Sequence, residues 1–272
     1  MTDPDDSAGA NRPEAAEQEI LFRAEGLQKN FGGVQAVRDI SLRISAGVVF
    51  AIIGPNGAGK STLLNLMSGL YQPDSGKMSF SGVDLVGVPA QQRVRYGIAR
   101  TFQKIRLFKH LSVLENVTAG FHIRHKIPPW QYIFHGAAFR HDQLNCRREA
   151  MELLAFVGLQ HRSQVMASSL AYGEQRMLEI ARALATAPRL LMVDEPAAGL
   201  NAAEVDALLG RIAELRKRGM TVVLVEHNMD LVMKIADRIF VMDYGQYLFE
   251  GTPANVQAHP DVIAAYLGTE FQ

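Results

Sequence analysis

The run Gly54-Pro55-Asn56-Gly57-Ala58-Gly59-Lys60-Ser61-Thr62 has the spacing G-x-x-x-x-G-K-[ST], which suits a loop that cradles phosphates. Glycines there let backbone N–H groups curl around phosphate oxygens with no Cβ in the way. The helix expected to follow aims the positive end of its dipole at the same anion. Lys60 is the cation for the β- and γ-phosphates, and the Ser61 hydroxyl is a ligand for Mg²⁺. A second pole lies at Leu190-Leu191-Met192-Val193-Asp194-Glu195, an apolar strand ending in two acids. Asp194 suits the strand-end acid that holds Mg²⁺ in such a site. Glu195, one residue on, falls at the strand's C-terminal edge, where open α/β sheets place ligands, and is set to polarise a water against the γ-phosphate. His227 follows a third apolar strand, Thr221–Val225, and is expected to face the same phosphate. Gln103, in Arg100-Thr101-Phe102-Gln103, carries little signal alone and draws its case from the pattern around it.

These residues need a sheet to bring them together, and the sequence outlines one. Ile20–Leu27 and Val37–Ile44 alternate as half-buried strands. Val48–Ile53 is unbroken apolar, as a strand buried on both faces requires. Lys60–Met67 reads as a helix ended by Gly69, Gly76–Leu85 as a strand, and Pro89–Tyr96 as a short helix with proline at its first position. Ser112-Val113-Leu114-Glu115 has the spacing of a capping box. Helices are expected over Cys146–Val157 and from Gly173 to Ala187. Strands and helices then alternate: Leu190–Val193, Ala202–Arg218, Thr221–Val225, Met229–Ile235 and Ile239–Met242. That alternation argues for a parallel sheet covered by helices. Two short helices, near Ala254–Ala258 and Asp261–Leu267, close the chain.

The 272 residues are 48% hydrophobic and 21% charged, enough for a core without metal or disulfide staples. The formal net charge of zero removes any global argument for a nucleic-acid partner. One cysteine, Cys146, allows no internal disulfide and points to a reducing compartment. No run approaches the roughly 20 apolar residues of a membrane span. Residues 1–19 hold six acids and one base with no apolar stretch, so they read as a disordered acidic tail and not a signal peptide.

With these pieces in order the chain resembles the ATP-binding subunits of ABC transporters. The diagnostic stretch is Leu170-Ala171-Tyr172-Gly173-Glu174-Gln175, similar to the family's LSGGQ signature running into its helix. The resemblance implies an α/β P-loop NTPase fold over residues 20–272, the ABC-type nucleotide-binding domain. It would carry an antiparallel β subdomain, a helical subdomain at about 104–187 and a C-terminal helical extension at about 252–272. It implies ATP and Mg²⁺ as cofactors, Phe31 as the aromatic on adenine, Gln103 completing the metal site with Ser61 and Asp194, Glu195 as general base and His227 on the γ-phosphate. The signature would contact ATP held by a second ABC ATPase subunit, so that ATP closes a dimer and hydrolysis reopens it. Two transmembrane permeases and a periplasmic solute-binding protein complete such systems, at the cytoplasmic face of the inner membrane.

The chain departs from the pattern at Ala171, Tyr172 and Glu174, where Ser, Gly and Gln are usual, and at Asn201, where Asp is usual. Ala171 has no hydroxyl to donate, and a charge-assisted hydrogen bond is worth roughly 1.5–3 kcal/mol, so a weaker signature contact is expected. Phe31-Gly32-Gly33, Leu170-Ala171-Tyr172-Gly173, Ala198-Gly199-Leu200-Asn201 and the end His259–Gly268 are similar to the branched-chain amino acid importers. The alternative is a lipopolysaccharide-export ATPase, which shares the C-terminal pattern and normally lacks the long stretch between Thr118 and Asn145. Residues 121–141 hold four histidines, dense aromatics and no acid. The spacing does not form a compact zinc set. A packed insertion is the simplest reading, and contact with headgroups or a permease the other.

Overall fold

The computed structural model describes residues 19–124 and 137–267. Residues 1–18 of the acidic tail, the centre of the histidine-rich stretch and the last five residues lie outside them. Two sheets form the frame. The first is antiparallel, in the order β2 (Val34–Ser45), β1 (Ile20–Phe31), β4 (Ser75–Phe80), β5 (Val83–Asp84). The second runs β10 (Gln246–Gly251), β9 (Arg238–Asp243), β3 (Val49–Ile53), β8 (Thr221–Val225), β7 (Leu190–Asp194), β6 (Ile98–Arg100). It is parallel except for the β9–β10 hairpin.

Every residue of β3, β7 and β8 is buried, as their unbroken apolar runs require. Their side chains alternate between layers with the strand period of two. Phe50, Ile52, Met192, Val223 and Val225 pack with Leu63 and Leu64 of α1 (Lys60–Ser68) and with Phe22 and Ile40 of the antiparallel sheet. Leu191, Val193, Val222 and Leu224 face the opposite layer. That layer holds α3 (Val113–Phe121), α4 (Ala137–Phe156), α5 (Tyr172–Leu184) and α6 (Ala202–Lys217). Ala51 and Ile53 meet α7 (Met229–Ile235), α8 (Pro253–Gln257) and α9 (Pro260–Leu267). The fold is thus the expected α/β layering with an antiparallel β unit on one side and helices on the other.

The expected capping box is present: Ser112 Oγ accepts from Glu115 N–H at 3.2 Å and Glu115 accepts from Ser112 N–H at 2.7 Å. Two expectations change, and two strands, β6 and β10, are not among the expected elements. Gly76–Leu85 is a hairpin and not one strand, because Ser81 and Gly82 take φ of 48° and 80° and form a two-residue turn between β4 and β5. Pro89 caps α2 (Ala90–Arg95) from an extended conformation and does not occupy its first turn. β6 has only three residues, too few to leave a periodic signal. β10 follows a Tyr244-Gly245 turn in which tyrosine itself takes φ 42°, so the usual Asn-Gly or Asp-Gly mark is missing. Among the described residues no helix is long and apolar enough to cross a membrane.

Candidate active site

The phosphate loop joins β3 to α1. Gly54 has φ 152°, and a Cβ on it would lie 2.1 Å from the Met242 carbonyl oxygen. Gly59, the N-cap of α1 with φ 92°, approaches the Ala36 carbonyl so closely that a Cβ would lie 2.3 Å away. Only glycine fits either position. No acidic residue stands in the first turn of α1, so its N–H groups and dipole face outward uncompensated. Lys60 is buried and folds over the loop, donating to the Gly54 carbonyl at 2.7 Å and the Pro55 carbonyl at 2.8 Å. Burial lowers its pKa, while Glu195 and Asp194 act against that shift. A cleft of about 330 Å³ runs along the loop from Asn56 to Thr62, with Glu195 and Tyr244 also in its wall. Lys60, Ser61 and Glu195 therefore share one cavity, as their sequence context predicts.

Asp194 ends β7 and is buried. Its Oδ2 accepts from Arg100 Nη2 at 2.7 Å. Arg100 also donates to Asn65 Oδ1 at 2.6 Å and Ser68 Oγ at 2.9 Å, tying the ends of β6, β7 and α1 together. Burial lowers the Arg100 pKa, and Asp194 offsets that. Glu195 has φ 44°, a left-handed backbone unusual for a residue with a Cβ. Its N–H donates to the Val225 carbonyl at 2.9 Å, which locks the turn out of the strand. Its Oε2 accepts from Gln103 Nε2 at 2.7 Å. The structure thus puts the Gln103 side-chain amide against Glu195.

Gln103 is held by α5. Arg176 and Glu179, one helical turn apart, form a buried ion pair at 2.9 Å. Arg176 donates to the carbonyls of Phe102 at 2.7 Å and Gln103 at 2.8 Å. Glu179 accepts the N–H groups of Phe102 at 3.4 Å and Arg106 at 3.3 Å. Burial raises the Glu179 pKa against the pull of Arg176. The signature helix and the Gln103 loop are therefore one mechanical unit.

His227 is 59% exposed at its side chain and does not line the cleft. Its backbone is placed by the fully buried Glu226, whose Oε2 accepts from His227 N–H at 3.1 Å and Asn228 N–H at 3.4 Å. Glu226 Oε1 accepts from Ala197 N–H at 3.0 Å, joining the loops after β7 and β8. Phe31 is likewise outside the cleft wall. Its ring stands edge-on to Tyr71, centroids 5.3 Å apart, with Lys29 Nζ 5.6 Å from its centroid.

Leu170–Gln175 also stands apart from the cleft wall. Ala171 is the N-cap of α5, and Glu174 turns back to accept its N–H at 3.0 Å. Gln175 Nε2 donates to the Leu170 carbonyl at 2.9 Å. Gly173 is packed so tightly on Glu204 that a Cβ would lie 2.3 Å from its Oε1. Asn201, the residue in place of the usual Asp, caps α6 by accepting from Glu204 N–H at 3.0 Å.

The ABC transporter family model matches residues 37–198. A LivG high-affinity branched-chain amino acid transport ATP-binding protein from Salmonella typhimurium is 44% identical over 249 residues, 91% of this chain and 98% of that one. The chain belongs to the ABC transporter ATP-binding proteins. Within this ATP-hydrolysing family it groups with the branched-chain amino acid cassettes. The family model of the branched-chain amino acid ATP-binding cassette transporter matches residues 248–272. BraF of Pseudomonas aeruginosa, likewise a high-affinity branched-chain amino acid transport ATP-binding protein, is 43% identical over 91% of this chain and 98% of its own. The crystal structure of the ADP conformation of an ATP-binding cassette of an ABC transporter superposes with a TM-score of 0.79 at 32% identity, covering 92% of this chain and 99% of that one.

Several residues that build this ABC site were not singled out by sequence reasoning. Arg100 stands in the quoted tetrapeptide before Gln103, and Glu226 directly before His227, but nothing local marks either as a buried anchor. Arg176 and Glu179 carry only the i, i+3 spacing of a helical pair, which is usually a solvated one.

Proposed function

We propose that this chain is the ATP-hydrolysing subunit that powers an importer for branched-chain amino acids or related small polar solutes. The observation that carries the catalytic part is the single cleft shared by Lys60, Ser61 and Glu195, with Gln103 donating to the Glu195 carboxylate. Lys60 releases the Gly54 and Pro55 carbonyls to take the β- and γ-phosphates. Glu195, aimed by Gln103 and by its own locked backbone, accepts a proton from the water that attacks the γ-phosphate. His227 hydrogen-bonds that phosphate once a partner closes the site, and Phe31 offers a ring face to adenine.

Mg²⁺ fits the donors present: a hydroxyl on Ser61, a carboxylate on Asp194 and the amide oxygen of Gln103 are the hard oxygen ligands it takes. It would neutralise charge on the phosphates. Leu170–Gln175 of a second cassette subunit would complete the site in trans. Two permeases would dock on the cytoplasmic face of the membrane, and a periplasmic binding protein would deliver solute. A groove of about 510 Å³ between the Gln103 loop and α3 and α5, lined by Phe102, Arg106, Leu107, Phe108, Ile123 and Arg182, suits the permease contact. The names of relatives at 43% and 44% identity favour this importer over lipopolysaccharide export.

Replacing Glu195 with Gln tests the reading. The expected result is ATP binding within about threefold of wild type and turnover reduced by 10²-fold or more, as for loss of a general base. Near-normal phosphate release would remove Glu195 from that role.

A further inference from the structure

Tyr172 has no part in the catalytic scheme above, and it stands where the family signature usually has glycine. It is the first residue of α5, and its side chain reaches two other parts of the site. The ring lies on Gly199, in the loop that leads away from Glu195. A Cβ on Gly199 would lie 3.1 Å from Tyr172 Cε1 and 3.6 Å from Cδ1 and Cζ. Gly199 also has φ 79°, so glycine is what lets the backbone turn there and the ring approach it. The Tyr172 hydroxyl accepts from Arg176 Nη2 at 3.4 Å, one turn along the helix, and the guanidinium carbon lies 6.0 Å from the ring centroid.

These contacts close a circuit. Arg176 Nη2 also donates to the Gln103 carbonyl at 2.8 Å, and Gln103 Nε2 donates to Glu195 Oε2 at 2.7 Å. From Glu195 the chain turns tightly towards Gly199. Ala198 N–H donates to the Glu195 carbonyl at 3.3 Å and Leu200 N–H to the Ala197 carbonyl at 3.1 Å. Gly199 then meets the Tyr172 ring again. Beside it, Gly173 is pressed on Glu204, which donates its N–H to Asn201 Oδ1 at 3.0 Å. The start of α5 is thus one wall of the turn from Glu195 to Asn201. Tyr172 touches both arms of the circuit, the turn at Gly199 and the Arg176–Gln103 bridge. It is 46% exposed and lies outside the hydrophobic core, so its removal spares the packing of the layers.

We propose that Tyr172 is a positioning residue that ties the signature end of α5 to the turn carrying Glu195, so that the two take up their working geometry together. The tie acts on hydrolysis and not on ATP affinity, because Tyr172 stands apart from the phosphate cleft. It rests on the reading of Glu195 as general base and adds the device that holds it in place.

The test is Tyr172→Ala in the full chain, which removes the ring and keeps helix propensity at the start of α5. Hydrogen exchange read by mass spectrometry should show the amides of residues 197–200 exchanging at least about threefold faster, with residues 54–62 unchanged. Phosphate release at saturating ATP should fall about tenfold, since small displacements of a catalytic group are costly, while Kd for ATP stays within about twofold. Tyr172→Phe keeps the ring on Gly199 and should hold both readouts within about twofold of wild type, because it gives up only one long neutral hydrogen bond. Unchanged exchange at 197–200 in Tyr172→Ala, or unchanged turnover in a chain that hydrolyses ATP, would overturn the tie. So would faster exchange spread equally over 54–62 and 197–200, which marks a general loosening, or a Tyr172→Phe chain as impaired as Tyr172→Ala. Absence of phosphate release from the wild-type chain would strike at the ATPase reading alone, because the exchange comparison still decides the tie.

Discussion

α1 and α5 both begin with an N-cap that makes no side-chain hydrogen bond, yet they present different fields. At α1 the cap is Gly59, the first turn has no acid, and the nearest charge is Lys60. At α5 the cap is Ala171, and the first turn carries Glu174, whose carboxylate accepts the Ala171 N–H and pairs with Arg162 at 3.2 Å. One helix end is open to an anion from outside. The other already holds an anion of its own. A negative charge at a helix N-terminus gains about 0.3–1 kcal/mol where it is exposed, and at α5 Glu174 takes that gain first. The two ends are also placed by different means. Glycines at 54 and 59, pressed on the Met242 and Ala36 carbonyls, set the first. The buried Arg176–Glu179 pair, clamped on residues 102–106, ties the second to the Gln103 loop.

Breaking that clamp should have the largest effect. Arg176→Met leaves Glu179 buried beside a loop that has lost two donors to its carbonyls. Urea unfolding should show a loss of about 3 kcal/mol, typical of a buried pair deprived of one partner. ATP turnover should fall with it while ATP affinity, set at the α1 end, holds. Equal losses at both ends would mean that the two are not independent. A smaller effect should come from Ala171→Ser. The new hydroxyl can accept from Glu174 N–H and complete the reciprocal cap that Glu174 has half made. Unfolding free energy should rise by about 1 kcal/mol, and ATP-driven association with a partner cassette should strengthen modestly. No gain in either quantity would show that the α5 end lacks room for the hydroxyl. The smallest shift is expected for Glu174→Gln, which removes the competing charge. On a Glu195→Gln background, sedimentation with ATP should report association tightened about two- to fivefold. Weaker association would mean that the Arg162–Glu174 contact matters more to the helix end than its field.

Much of this site was legible because it is contiguous. The phosphate loop is nine residues whose glycines, lysine and hydroxyls act through their own backbone and the helix they start. Asp194 and Glu195 follow an apolar run that could only be a central strand. The capping box at Ser112 was equally local. The β10 strand was hidden because Tyr244 accepts a backbone conformation that short-range rules reserve for Gly, Asn or Asp. The role of Gln103 was reachable only through the pattern around it, and its contact with Glu195 through no pattern at all.

Residue type and spacing determined the strand–loop–helix that receives phosphate, the acids at the end of β7 and the family to which these motifs belong. Those properties reside in backbone geometry and short-range periodicity, which the order of residues encodes directly. Only the tertiary structure decided that Arg100 holds Asp194, that Glu226 joins the loops after β7 and β8, and that Arg176 and Glu179 clamp the Gln103 loop. Each of these is a buried polar group whose partner is distant in sequence. Which partner it finds depends on how the layers pack, because a polar atom taken out of water must be satisfied by whatever the fold brings to it.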